Sequence, residues 1–245
     1  ESVIDAEVED FEATEKVLAL YAMTEINFTP EFMLLPGVRY EKTDVTADGK
    51  EYDSETEAIT LSSSEKSYSK LFPMIHARYR FTPRTNIRAA FTSVLARPNY
   101  YDMAPFRLRD DEDLELGNPN LDPTYAYNYD LMFEHYAQTI GIISAGVFYK
   151  QIEDPIFTFI SDNDLGGETE QPKNGESGDI TGFEFALHRQ FKCLPAPFDG
   201  LGFYGNYTYT TSSATLPGGR EAKFSGQPDN VFNIALSYEK AGFSG

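Results

Sequence analysis

The sequence predicts an all-β fold, an antiparallel up-and-down transmembrane β-barrel fragment of about nine strands. Apolar and polar residues alternate in runs as long as a membrane-crossing strand, turn residues separate the runs, and short connections alternate with long ones. A barrel strand needs only about 9 to 11 residues, whereas a transmembrane helix needs an unbroken apolar run of about 18 or more. The chain has no such run, so strands rather than helices are expected to cross a bilayer.

The predicted strands are the stretches in which β-branched and aromatic residues recur at every second position. They occupy residues 16–29, 32–43, 71–81, 85–95, 125 to a turn at 137–140, 142–149, 180–189, 201–211 and 231–238.

The connections between these strands differ in length in a regular way. Short links are predicted at Pro30, at Pro83 and near Gln138, with a moderate one at 192–200. Long polar loops are predicted at 44–69, 97–124, 153–178 and 212–227, with 157–160 as a candidate strand extension. All long loops therefore fall at one end, as in barrels with short periplasmic turns and long extracellular loops.

The composition excludes several function classes. A formal charge of −19 opposes nucleic acid as a partner, because phosphate binding relies on lysine and arginine. His76, His135 and His188 lie on separate strands without a neighbouring nucleophile or ligand set, so we expect no catalysis, no cofactor and no metal site. The acidic run 110–113 with Glu115 lacks the spacing of a calcium loop and is interpreted as a solvated charge run.

Five short motifs resemble the barrel of TonB-dependent outer-membrane receptors. They follow one another along most of the chain. The motifs are Tyr79-Arg80-Phe81-Thr82-Pro83-Arg84-Thr85-Asn86-Ile87-Arg88-Ala89-Ala90-Phe91, Leu95-Ala96-Arg97-Pro98-Asn99-Tyr100, Gly117-Asn118-Pro119-Asn120-Leu121-Asp122-Pro123 with the strand after it, Ile180-Thr181-Gly182-Phe183-Glu184, and Phe224-Ser225-Gly226-Gln227-Pro228-Asp229-Asn230.

The resemblance implies a fold and a function. Residues 1–245 would be one partial barrel domain, from the later middle of a barrel of roughly 22 strands, without the plug domain or its energy-coupling segment. The whole protein would take up a large nutrient, of the glycan or siderophore type, by TonB-coupled active transport across the outer membrane of a Gram-negative bacterium. Implied partners are the lipid bilayer, the nutrient ligand, the TonB energy-coupling complex acting through the missing plug, and a surface lipoprotein.

The sequence leaves two alternatives of other classes open. A passive outer-membrane porin would share the barrel pattern but would have no plug domain before its first strand. A soluble β-sandwich binding module would share the strands but would not partition into the outer membrane.

Alternation assigns residues to the two faces of the predicted barrel. Expected to face lipid are Leu71, Ile75, Ala77, Tyr79, Phe81, Ile87, Phe91, Tyr129, Leu131 and Phe133. Expected to face the lumen or a plug are His76, Arg78, Arg80, Arg88, Asn128, Asp130 and Glu134. Arg80 and Arg88 can pair on one face only if the turn at Pro83 has an odd length or a bulge, and Asp130 and Glu134 are the expected counter-charges.

The loop 97–124 is the predicted site of ligand capture. It combines planar aromatic rings with arginine side chains, which suit sugar faces and anionic groups. The candidate residues are Arg97, Asn99, Tyr100, Tyr101, Phe106, Arg107 and Arg109. An equally strong interpretation is that these residues pin the loop inward over the lumen.

Overall fold

The computed structural model describes residues 11–53, 58–137, 141–240 and 243–244, almost all of them in one sheet. No helix in these ranges is long and apolar enough to cross a membrane. The helical residues that are described form a single short turn, α1 (Tyr100–Met103), and a 3-10 turn at Phe198–Gly200.

Nine long strands correspond to the nine predicted ones, which confirms the predicted fold class. They are β1 (Glu12–Met23), β3 (Phe32–Asp53), β4 (Ala58–Thr82), β5 (Thr85–Ala96), β8 (Thr124–Ala137), β9 (Gly141–Glu153), β12 (Ser177–Gln190), β13 (Leu201–Thr215) and β15 (Asn230–Lys240). The other strands described are shorter: β2 (Ile26–Asn27), β6 (Arg107–Asp110), β7 (Asp113–Leu116), β10 (Ile156–Asp162), β11 (Glu168–Asn174), β14 (Glu221–Ala222) and β16 (Phe243–Ser244).

The long strands pair antiparallel with their neighbours along the chain. The order is β3-β4-β5-β8-β9-β12-β13-β15, with β1 along the other side of β3. The sheet does not close into a ring in the residues described. Such up-and-down connectivity follows directly from the short turns, because a tight turn can join only antiparallel neighbours.

The predicted loop at 44–69 is wrong, because β3 and β4 continue through it as a ladder that reaches Asp53 opposite Ala58. Serine side chains support this extension: Ser67 Oγ donates to Asp44 Oδ1 at 2.6 Å and Ser64 Oγ donates to the Ala47 carbonyl at 3.3 Å. The stretch has few large apolar residues, and so the sequence pattern alone did not indicate a strand.

Three other predicted loops also contain strands. The connection 97–124 holds α1, β6 and β7, the connection 153–178 holds β10 and β11, and the connection 212–227 holds β14. Strands from different connections pair with each other. Strand β11 pairs in parallel with β7, and β6 pairs with β3, where Arg107 lies opposite Glu51. Pairing of this kind joins distant parts of the chain, which local periodicity cannot reveal.

A bulge lies beside the turn at Pro83, as the sequence predicted. The register of β4 against β5 shifts between Arg80 and Thr82. Arg80 lies opposite Asn86, and it is Arg78 that lies opposite Arg88. The bulge keeps these arginines on one face of the sheet.

The buried core lies at the long-loop end, where chain from several connections meets. We call this part the cap and define it as residues 97–123 and 154–176 with residues 43–53 and 58–70 of β3 and β4. The nine long strands outside these residues are called the wall. Val45, Met103 and Leu121 form a buried cluster in the cap, and Ile156 packs against it.

Candidate functional site

The wall has one apolar face, which contains all ten residues expected to face lipid. Residues that lie opposite each other on neighbouring strands share a face of the sheet, so a row of such residues can be followed from strand to strand. One row joins Phe32, Tyr79, Ile87, Phe133, Ala145, Phe185, Tyr207 and Phe232, and the next joins Leu34, Ala77, Ala89, Leu131, Val147, Phe183 and Tyr209. Large apolar side chains in these rows are exposed; Leu131 and Val147, for example, are 50% and 55% exposed.

The seven residues expected to face the lumen share the opposite face. Its rows join Arg78, Arg88, Met132, Gly146, Glu184 and Thr208, and Arg80, Asn86, Glu134, Ser144, Ala186 and Asn206. The geometry thus separates the two predicted groups completely. The assignment of one face to lipid and of the other to a lumen stays a prediction.

Arg88 is neutralised by one of the two expected acidic residues. Its Nε donates to Glu134 Oε2 at 2.9 Å. Asp130 lies opposite Ala90, further along the same face. Because Arg78 is directly opposite Arg88, Glu134 relieves a like-charge contact across β4 and β5.

The apolar face of β4 is long enough for a strand that crosses a bilayer. On β4 its outward residues run from Leu71 to Phe81, a distance of about 33 Å along a strand. A strand tilted by about 40° would span about 25 Å with that length, which matches the apolar band of outer-membrane barrels.

The motif at residues 117–123 holds the two largest loops together. Leu121 is fully buried in the cap cluster. The Asn118 side-chain amide donates to the Pro172 carbonyl at 2.9 Å, and its backbone N–H donates to the Asp102 carbonyl at 2.7 Å. At Gly117, a Cβ would lie 1.8 Å from the Ala104 carbonyl oxygen, and glycine is therefore required by this close approach.

Asn174 joins the same two loops from the other side. Its side-chain amide donates to the carbonyls of Asp122 and Asp154, each at 2.9 Å, and its side-chain oxygen accepts from the Asp122 N–H at 2.8 Å. A neighbouring ion pair, Lys66 Nζ to Asp122 Oδ1 at 2.8 Å, ties this junction to β4. The cap is therefore one folded unit rather than a set of independent loops.

Arg97 anchors the start of the loop 97–124 to the inner side of β1 and β3. Its guanidinium pairs with Glu41 and, at 2.9 Å, with Glu15 Oε1. Glu41 is 5% exposed and also accepts from Arg39 Nε at 2.9 Å. The Tyr100 hydroxyl donates to Glu15 Oε2 at 3.1 Å. Arg97 therefore has two carboxylate partners within the chain.

The other capture candidates divide into buried and exposed residues. Asn99 caps α1 by accepting from the Tyr101 N–H at 3.3 Å, and Phe106 is 6% exposed with its ring 4.5 Å from that of Tyr101. Arg109 Nε donates to the Asp111 carbonyl at 2.8 Å, and Arg107 is exposed on β6. Of these candidates, Arg97 reaches carboxylates on other strands, whereas Asn99 and Phe106 make these contacts within the loop itself. The choice between capture and pinning stays a prediction.

Two carboxyl groups of the cap have a raised pKa. Burial, with a smaller contribution from the charge of Glu115, raises the pKa of Asp102 in α1. Burial, followed by the charges of Asp122 and Glu153, raises the pKa of Asp154 in the turn before β10. At the short-turn end, by contrast, the Lys240 ammonium lowers the pKa of Asp199. Acidic residues are thus held close together in the cap.

Sequence reasoning missed several residues on which the cap depends. Glu15, Glu41 and Asn174 were not singled out, because nothing local marks a polar residue whose partner lies far along the chain. Leu121 was noted only as part of a motif. Its apolar side chain among asparagine and proline residues was the available signal.

The chain matches the family described as TonB dependent receptor-like, beta-barrel, over residues 5–245. It belongs to this family, and the resemblance found in the sequence is confirmed. Members of the family are receptors and transporters of the bacterial outer membrane and not enzymes, as the sequence predicted.

Solved structures of such receptors have the same fold. The ferric-catecholate import receptor Fiu of E. coli K12 shares 15% identity over 95% of this chain and 33% of its own, with a TM-score of 0.68. The copper transporter OprC shares 13% identity over 95% of this chain and 34% of its own, with a TM-score of 0.74. The hemophore receptor HasR of Serratia marcescens, solved with its hemophore HasA and heme, shares 12% identity over 93% of this chain and 42% of its own, with a TM-score of 0.66.

The chain is short beside these receptors and distant from them in sequence. It spans about a third of the length of Fiu and OprC and somewhat more of HasR. No curated protein sequence matches it at a significant level. At such low identity the structural matches show the fold alone.

Proposed function

We propose that this chain is part of an outer-membrane receptor that takes up a large nutrient, of the glycan or siderophore type, by TonB-coupled active transport in a Gram-negative bacterium. The observation that carries the proposal is the family match over nearly the whole chain. Two separated faces support it, because an apolar band of bilayer height on one side and charged rows on the other suit a wall between lipid and a water-filled lumen.

The same observations favour a receptor over the two alternatives. A porin would also have one apolar and one polar face, but the family match is to receptors. A soluble sandwich buries the inner faces of its sheets against each other, whereas here the apolar face of the wall is exposed.

The proposed partners follow from this role. The bilayer contacts the apolar face, and the TonB complex acts through a plug domain seated against the polar face. The charge of −19 gives no support to nucleic acid binding. A surface lipoprotein is a further proposed partner at the long-loop end, where the cap would meet the outside of the cell.

Ligand capture is proposed for residues of the cap with exposed side chains, chiefly Tyr100 and Arg107, together with the half-buried Tyr101. Tyr100 is 42% exposed, and the Arg107 side chain is exposed on β6. Arg97, with two carboxylates beside it, is proposed as the pin of the loop instead.

Uptake by the full-length receptor tests the proposal. The receptor is expressed in a Gram-negative host that lacks its own nutrient receptors, in paired strains with and without a functional TonB protein. Growth is scored on a panel of oligosaccharides and ferric siderophores. We expect growth on at least one compound in the TonB-positive strain only. Equal growth without TonB would support a porin, and recovery of the receptor in the soluble fraction would reject the membrane assignment.

A further inference from the structure

Strand β10 has a free edge at the long-loop end of the sheet. It occupies the end of the strand order, and in the described part of the chain it pairs with β11 alone. Its sequence, Ile156 to Asp162, consists of β-branched and aromatic residues with one serine and a final aspartate. Such residues favour an extended backbone.

The register shows which backbone groups point to this free edge. The Gly175 N–H donates to the Pro155 carbonyl at 2.6 Å, which makes residues 155 and 175 a hydrogen-bonded pair. Hydrogen-bonded and non-bonded pairs alternate along an antiparallel ladder, and the next bonded pairs are therefore 157 with 173 and 159 with 171. Pro172, which has no N–H, lies opposite Thr158, as a non-bonded position allows. The N–H and C=O groups of Thr158 and Ile160 therefore face outward.

The edge lacks the features that normally protect an exposed strand. Residues 156–161 contain no charged residue, proline or glycine, and Ile160 is 60% exposed. Protected edges carry charges, especially lysine, or are interrupted by proline or a bulge. The free edge of β10 is thus suited to accept another strand.

The charges around the edge indicate the kind of strand that fits. Asp154 precedes β10, Asp162 ends it and Asp164 follows it, while Lys173 lies on the paired strand β11. A second copy of the chain paired antiparallel about Thr158 would place Asp162 opposite Asp154, which is a like-charge contact. A segment with basic residues at its ends meets opposite charges instead.

We propose that β10 is a docking site at which an extended segment of a partner protein, with β-branched residues flanked by lysine or arginine, adds to the sheet as a further strand. Main-chain hydrogen bonds to Thr158 and Ile160 supply affinity, and the flanking carboxylates select basic ends. The inference depends on the proposed function only for the location of this edge at the cell surface.

Binding of a designed peptide to the full-length receptor in detergent tests the site. The probe is a fluorescent peptide of alternating threonine and valine with two lysines at each end, and its affinity is measured by fluorescence anisotropy. We expect saturable binding that weakens about tenfold or more in Thr158→Pro, because proline removes an outward N–H without removing a bond to β11. Thr158→Val, which keeps the N–H, should bind as the unchanged receptor does.

A second variant guards against a folding defect in Thr158→Pro. Ile160→Lys leaves the backbone unchanged and protects the edge with a charge, and it should also lose binding. Leu165→Lys adds the same charge in the exposed turn between β10 and β11 and should still bind the peptide. The proposal would be overturned if the unchanged receptor did not bind the peptide, or if Thr158→Pro and Ile160→Lys bound it equally well. A receptor dimer that only these two variants abolish would also overturn it. TonB-dependent growth should be the same in all variants, so that failure here is distinguishable from failure of the transport assignment.

Discussion

Leu121 in the cap is fully buried, whereas Leu131 in the wall is 50% exposed. Val45 in the cap is likewise buried, whereas Val147 in the wall is 55% exposed. The cap buries Met103 and Phe106 against its own chain, as a water-soluble domain does, while the wall presents a continuous apolar face. Cap and wall therefore differ in what they leave exposed: the cap is stabilised by removing apolar surface from water, and the apolar face of the wall is the one predicted to contact hydrocarbon.

The largest effect is expected from emptying the core of the cap. Leu121→Ala should destabilise the cap by about 2 to 5 kcal/mol, because it removes buried methyl groups and leaves a cavity. Limited proteolysis of the full-length receptor in detergent measures the opening of the cap. Leu165→Ala, at an exposed leucine of the same region, is the control and should leave the cleavage rate unchanged. Equal cleavage rates in the two variants would mean that the cap has no common core.

Adjacent residues on opposite faces of β8 test the wall. Leu131→Arg should destabilise the barrel in a bilayer by about 2 to 4 kcal/mol, because it places a charge in hydrocarbon. Met132→Glu, one residue along the chain but on the polar face opposite Arg88, should be tolerated, because the new carboxylate meets an opposite charge. Assembly of the full-length receptor into lipid vesicles is measured by heat-modifiable mobility on gels. If Met132→Glu were the more damaging of the two, the lipid and lumen faces would be reversed.

A smaller effect is expected at the ion pairs that join the cap to the wall. Arg97→Ala should cost about 1 to 3 kcal/mol, since it leaves the buried Glu41 with Arg39 as its remaining partner. Thermal unfolding of Arg97→Ala, Glu41→Gln and the double variant gives the coupling between the two groups. Additive effects would contradict the pinning role, and a loss of ligand binding without a loss of stability would support a capture role for Arg97.

The smallest effect concerns the pH dependence of the cap. The pKa of Asp102 is raised in the folded protein, so its contribution to stability is present below its ordinary pKa of 3.8 and is lost as the pH rises through the raised value. Asp102→Asn should therefore slightly raise the resistance of the cap to protease at pH 7 and leave it unchanged near pH 3. A fall in resistance at pH 7 would show that the charged form of Asp102 makes a favourable contact.

Alternation along single strands was sufficient to predict the wall. Side chains of a strand alternate between two faces, so the residue pattern of 71–81 alone separates Tyr79 from Arg78, and that of 125–133 separates Leu131 from Asp130. The short turns at Pro30 and Pro83 then made neighbouring strands antiparallel, which determines the order of the sheet. Even the bulge beside Arg80 followed from the requirement that the arginines share a face.

Tertiary structure alone decided the cap. The strand extension at 44–69 has few large apolar residues, and its inner residue Val45 is covered by Met103 and Leu121 of the loop 97–124. From the sequence, Arg97 is a candidate both for ligand capture and for pinning the loop, and its partners are not apparent. Glu15 and Glu41 come to it from β1 and β3, more than fifty residues away along the chain. Periodicity predicts the environment of a residue only where that environment repeats along the strand, as it does on the apolar and polar faces of the wall. In the cap, each contact depends on a different and distant segment, and its partners become known only when the chain is folded.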